Sequence, residues 1–144
     1  MKVTVYIGTE AEAWLSSPAN LAQWAELAGT GFASTPFIEP GFVRTWYRHY
    51  GGQWSPLLLL AEDASGRLNG FAPLAMRGDL ITGVGAQQAE YQGWLCSPEQ
   101  ALDFFESSIA TLAARFSHAR LRLHYLLGPW LAVVEKAAAG DKRL

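Results

Sequence analysis

Residues 57–78, LLLLAEDASGRLNGFAPLAMRG, constrain the fold of this chain more than any other stretch. Leu57 to Ala61 is a short, continuous apolar run, the pattern of a strand covered on both faces. Glu62-Asp63-Ala64-Ser65-Gly66 is turn chemistry. Arg67 to Met76 then resumes an extended pattern, with Leu68, Gly70, Ala72, Leu74 and Met76 on one face and Phe71 and Pro73 on the other. Pro73 lacks a ladder donor, which predicts an edge position or a bulge in that strand. Arg77-Gly78-Asp79 turns again, and Leu80-Ile81-Thr82-Gly83-Val84 reads as a third strand. The expectation is an antiparallel meander.

The flanking segments supply helices. Val3, Val5 and Ile7 alternate with Thr4 and Tyr6 as in an opening strand. Thr9-Glu10-Ala11-Glu12 has the spacing of a capping box, and Ser17-Pro18 gives a second helix start. Leu21, Trp24, Ala25 and Ala28 follow at helical spacing, and Gly29-Thr30-Gly31 ends the run. Phe42, Val43, Trp46, Tyr47 and Tyr50 make an aromatic stripe on a third helix, opened near Pro40 and stopped at Gly51-Gly52. After a short strand in AEYQGWLCS, Ser97-Pro98-Glu99-Gln100 starts a helix whose apolar face is Leu102, Phe105, Ile109, Leu112 and Phe116. ARLRLHYLL alternates as a strand. Gly128-Pro129 begins a last helix through about Ala139, and GDKRL reads as a frayed end. The order predicts an α+β fold, a central mixed and largely antiparallel sheet with helices on both faces.

Composition fits one domain with a substantial core. The chain has 144 residues, of which 50% are hydrophobic and 17% charged, and this balance excludes a disordered chain. Six Trp, seven Phe and five Tyr suggest more apolar surface than a small monomer hides, which points to a partner. A formal charge of −2 gives no electrostatic footprint for nucleic acid. The single Cys96 excludes an internal disulfide and a cysteine-rich zinc site, so a reduced, cytoplasmic setting is expected. No stretch approaches the roughly 20 apolar residues of a membrane span.

Few residues carry legible chemistry. Gly83-Val84-Gly85-Ala86 is the nearest approach to a phosphate-cradling loop, although no basic residue leads into it and no helix pattern follows. Glu90-Tyr91 could supply a base for an acceptor amine or hydroxyl and an acid for a leaving thiolate; equally, Glu90 could pair with an arginine and Tyr91 pack its ring. His49, His118 and His124 lie on three elements without ligand spacing, so no metal site is expected. Cys96 sits beside a helix start, but no neighbouring residue activates it. Arg120, Arg122 and His124 share one face of their strand, either meeting an anionic substrate or forming the solvent side of an edge strand.

Strand, paired helices, three-strand meander, helix and strand is the element order of the first two-thirds of a GNAT acyltransferase domain. Within that class the chain resembles the N-terminal half of CelD-like and FemAB-like acyltransferases over roughly residues 1–127. The landmarks are Trp24 and Leu27, Phe37 and Trp46, Gly70, Pro73 and Leu74, and Glu90 with Tyr91. The resemblance implies a GNAT-like domain whose second, donor-binding half lies outside residues 1–144, working on envelope or exopolysaccharide precursors. It implies Glu90 and Tyr91 as catalytic residues, Trp46, Arg77 and Gln92 as substrate-binding, and Gly83 and Gly85 as contacts to an acyl-CoA. The implied partners are a second GNAT-like domain or a second copy of the chain, and a small-molecule or saccharide acceptor. The alternative is a degenerate, non-catalytic GNAT-like domain that pairs through an open sheet edge.

Overall fold

The computed structural model describes residues 1–30 and 32–140. Its centre is a mixed, mostly antiparallel sheet. Strand β1 (Val3–Ile7) lies antiparallel to β2 (Ser55–Glu62), β2 to β3 (Leu68–Arg77), and β3 to β4 (Leu80–Gly83). The two-residue β5 (Leu95–Cys96) pairs with the start of β3, and β6 (Arg120–Arg122) runs parallel to β4. Helices α1 (Thr9–Ser16), α2 (Pro18–Thr30) and α3 (Pro40–Tyr50) connect β1 to β2; α4 (Ala101–Arg115) connects β5 to β6, and α5 (Gly128–Gly140) follows. Of the GDKRL segment, residues 141–144 lie outside the described residues.

The leucine run explains the layering. Leu57, Leu59 and Ala61 join Phe104, Phe105, Leu112 and Trp130 in a core beneath α4 and α5. Leu58 and Leu60 join Trp24, Val43, Trp46 and Phe71 in a second core beneath α1, α2 and α3. All four leucines are at most 3% exposed. Each contributes roughly 1.5–3 kcal/mol by leaving water, which fixes β2 in the sheet's interior.

Three local expectations need correction. Leu68 does not share a face with Gly70 and Ala72. The β2–β3 register steps from Ala61↔Gly70 to Glu62↔Leu68, so Asn69 is an extra residue, and this bulge turns Leu68 into the α1–α3 core. The expected bulge thus lies in the strand that carries Pro73, four residues before it, and Pro73 itself sits in the sheet's interior. The capping boxes also fail to form: α1 is capped by Gly8, whose carbonyl accepts from the Glu12 amide, and a 3-10 turn, Pro98–Gln100, precedes α4. The expected face of α4 does pack on the core, with Phe105 and Leu112 buried and Leu102, Ile109 and Phe116 half-buried against it, and Ala101, Phe104 and Ser108 complete the buried surface. Finally, β6 stops at Arg122, short of the alternation in ARLRLHYLL, and Tyr125 at φ 52° is incompatible with continued extension.

Candidate functional site

The site grows from two splits in the sheet. Along its length β3 changes neighbour, from β5 at Gly70–Phe71 to β4 at Leu74–Arg77. Pro73 sits at the changeover, and its carbonyl accepts from the Val84 amide at 3.2 Å. Amide and carbonyl of one extended residue point to the same side. The donor that proline lacks thus faces the gap between β5 and β4, which is how a central strand tolerates it.

The second split separates β4 from β6. They pair in parallel over Leu80–Thr82 and Arg120–Arg122; beyond that the loop 84–94 enters between them, and Gln92 bridges to Leu126. The buried Gln92 amide is the strut. Its Nε2 donates to the Gly83 carbonyl at 3.1 Å and the Ala86 carbonyl at 2.9 Å, while its Oε1 accepts from the His124 amide at 2.7 Å. Gly83 is required by this closeness: a Cβ there would stand 2.7 Å from Gln92 Cδ.

On the α3 side of the split lies a polar cleft of about 220 Å³, lined by Tyr50, Gln53 and Trp54, by Arg77, Leu80 and Thr82, by Ala86, Gln87 and Gln88, and by Arg122 and His124. Strand alternation builds it, because Leu80 and Thr82 project from the face opposite Ile81, and Arg122 lies beside Thr82 in the parallel register. Arg77 lies over Trp54, its guanidinium carbon 4.4 Å from the ring centroid, a cation–π contact that holds the side chain at the rim. Trp54 in turn packs on Trp46, whose Nε1 donates to Gln88 Oε1 at 3.3 Å. Among the described residues no Asp or Glu lines the cleft, and neither Arg77 nor Arg122 enters an ion pair. Arg120, by contrast, pairs with Asp79 at 3.2 Å. Thr82 is 2% exposed, and its Oγ1 has no hydrogen-bond partner among the described residues.

Of the residues singled out by sequence, Arg77 lines this cleft, Trp46 supports its wall through Gln88, and Gln92 braces the strands behind it. Gly83 and Gly85 lie in the turn that leaves β4. There the Ala86 amide donates to the Gly83 carbonyl and the Gln88 and Ala89 amides to the Gly85 carbonyl, while Gln92 and Ala89 fill the space in front of the two glycines. The turn as folded does not fit a CoA pyrophosphate, which needs convergent, unspent N–H groups. Glu90 and Tyr91 are exposed and outside the cleft; the Tyr91 ring lies 6.5 Å from that of Phe37. Cys96 is fully buried, and burial pushes its thiol up to about 12, so it is no nucleophile at neutral pH. The Tyr47 phenol, buried and donating to the Leu74 carbonyl at 2.5 Å, is likewise held well above the ordinary phenol range by desolvation.

Sequence reasoning missed Thr82, Tyr50, Trp54 and Gln88. Thr82 was legible only as the polar member of Leu80-Ile81-Thr82-Gly83. Comparison with known proteins adds nothing to this geometry: no family model, curated protein or solved structure matches the chain.

Proposed function

We propose that this chain is the acceptor-side half of a GNAT-like acyltransferase of the CelD/FemAB kind, acting on an amino-sugar precursor of envelope or exopolysaccharide. The observation that carries the reading is the strand order: an antiparallel run from β1 to β4, then the parallel β4–β6 pair, with α4 on the crossover. That is the order expected of a GNAT domain. The cleft beside the β4–β6 split holds the acceptor. The acyl-CoA donor is carried by a second GNAT-like domain, since the amides of Ala86, Gln88 and Ala89 are spent inside the turn after β4. Glu90 and Tyr91 lie exposed on the loop between the strands, where an acid–base role would need that second domain to close over them.

Backbone-amide NMR titration tests this. Glucosamine 6-phosphate should perturb the amides of Thr82, Arg122 and His124, and acetyl-CoA should perturb none in the Gly83–Ala89 turn. The reading is overturned if neither glucosamine nor its 6-phosphate moves the cleft residues, or if acetyl-CoA binds this chain alone with a Kd of about 10 μM or tighter.

A second reading, a non-catalytic domain that pairs through its surface, is favoured by Tyr125 and Leu131, 67% and 47% exposed, close to the strand that ends the sheet. Light scattering separates the two, because a strict monomer at high concentration excludes self-pairing.

A further inference from the structure

We infer that the cleft between α3 and the β4–β6 split is a binding site for a small anion-bearing polyol, with Arg77 and Arg122 gripping a phosphate or carboxylate. The inference names the substrate class of the acceptor cleft proposed above, and its grounds are separate from the strand order. The first is charge. The chain carries a formal −2, yet this cleft gathers Arg77, Arg122 and His124 with no carboxylate among its lining residues. Two guanidiniums on adjacent walls of one concavity repel each other, and an anion between them removes that cost. Arg67 and Arg120 are matched by Glu26 and Asp79, while Arg44, Arg48 and Arg115, like the cleft pair, enter no ion pair among the described residues; what sets Arg77 and Arg122 apart is that they share one concavity.

Preorganisation is the second ground. Arg77 is held over the buried Trp54 by the cation–π contact, and its N–H groups have no carboxylate partner among the described residues. A planar fork held in place is the arrangement suited to bidentate recognition of phosphate or carboxylate.

The third is Thr82. Thr82 lines the cleft, and its buried Oγ1 has no hydrogen-bond partner among the described residues. A buried hydroxyl in that state costs free energy unless a ligand atom satisfies it. Beside it, Gln53, Gln87 and Gln88 supply amides able to donate to and accept from hydroxyl groups.

Size sets the class. At about 220 Å³ the cleft falls below the roughly 300–1,000 Å³ of sites for drug-sized ligands. It suits one sugar ring or a short polyol with its anionic group, and it is too small for a nucleotide coenzyme.

The test is a calorimetric and NMR titration of the whole chain with glucose 6-phosphate, glucuronate, inorganic phosphate and, as the uncharged control, glucose. Glucose 6-phosphate or glucuronate should bind and shift the amides of Thr82, Arg122 and His124, glucose should not, and affinity should fall as salt rises. Arg122 lies exposed on an edge strand, so Arg122→Gln keeps the fold, and it should weaken binding about tenfold to a hundredfold. Arg77→Lys keeps the charge over Trp54 but loses the fork, and should weaken it about tenfold. The inference is overturned if none of the three anions binds below about 10 mM, if glucose binds as well as its phosphate, or if Arg122→Gln leaves the affinity unchanged. Glucosamine binding with no dependence on an anionic group sinks this inference and spares the acceptor reading. Glucose 6-phosphate binding with no cleft response to either amino sugar does the reverse.

Discussion

Gln92 does more than any other single side chain to hold the site together. Its amide satisfies two carbonyls of the turn leaving β4 and one amide of the segment after β6, two stretches that would otherwise separate. Gln92→Ala strands all three groups, and urea denaturation should show a loss of about 2–4 kcal/mol. Sequence offered no sign of this role, because a glutamine in a polar loop ordinarily reads as solvated. Cys96 is the opposite case. It sits beside a helix start with no neighbour to activate it, and full burial, which the sequence did not reveal, raises its thiol further. Iodoacetamide at pH 8 should leave the native thiol unmodified and alkylate it readily in denaturant. A native rate matching that of a free thiol would contradict the burial.

At the scale of elements, α4 sits on β3 through one close approach. A Cβ at Gly70 would lie 2.6 Å from the Phe104 ring, which is itself 1% exposed. Gly70→Ala should cost about 1–3 kcal/mol by overpacking. Combining it with Phe104→Leu should cost less than the sum of the two single changes, a coupling that a double-mutant cycle measures. The β2–β3 turn is organised by Asp63, whose Oδ1 accepts from the Ser65 amide at 2.8 Å, the Ser65 hydroxyl at 2.6 Å and the Arg67 amide at 3.1 Å. The Ser65 hydroxyl, followed by the Arg67 and Ser65 amides, holds this carboxyl below its ordinary value. A lowered folded-state pKa adds stability that is fully present above the unfolded value of about 3.9 and is lost as pH falls through the folded value. Melting curves of the wild type and Asp63→Asn should therefore differ at neutral pH and converge in acid. The meander and its turns were legible because their signals are local: a leucine run, Asp63 with Gly66, Arg77 with Gly78. The bulge at Asn69 was not, since it depends on which residue of β3 meets Glu62.

The whole molecule is two cores divided by one sheet, and β2 and β3 contribute to both. Neither core can dissolve without baring one face of the strand whose other face carries the leucines of the second core. Unfolding followed by tryptophan fluorescence, with Trp24 and Trp54 in one core and Trp94 and Trp130 in the other, should coincide with unfolding followed by far-ultraviolet circular dichroism. Two separated transitions would show that the cores melt apart. This layering was readable from sequence because alternation within one strand reports both faces at once. The cleft was not, because its walls come from residues some 70 positions apart in the chain, Tyr50 to His124, and only the β4–β6 register brings them together.

That register has a mechanical consequence. β6 is moored to the rest of the sheet by three residue pairs, with the Gln92 strut just beyond its end, yet it carries Arg122, one of the two arginines of the cleft. A molecule clasped between Arg77 and Arg122 would rivet this short edge strand to the firmest part of the meander. Occupancy and the attachment of everything after residue 119 would then rise and fall together.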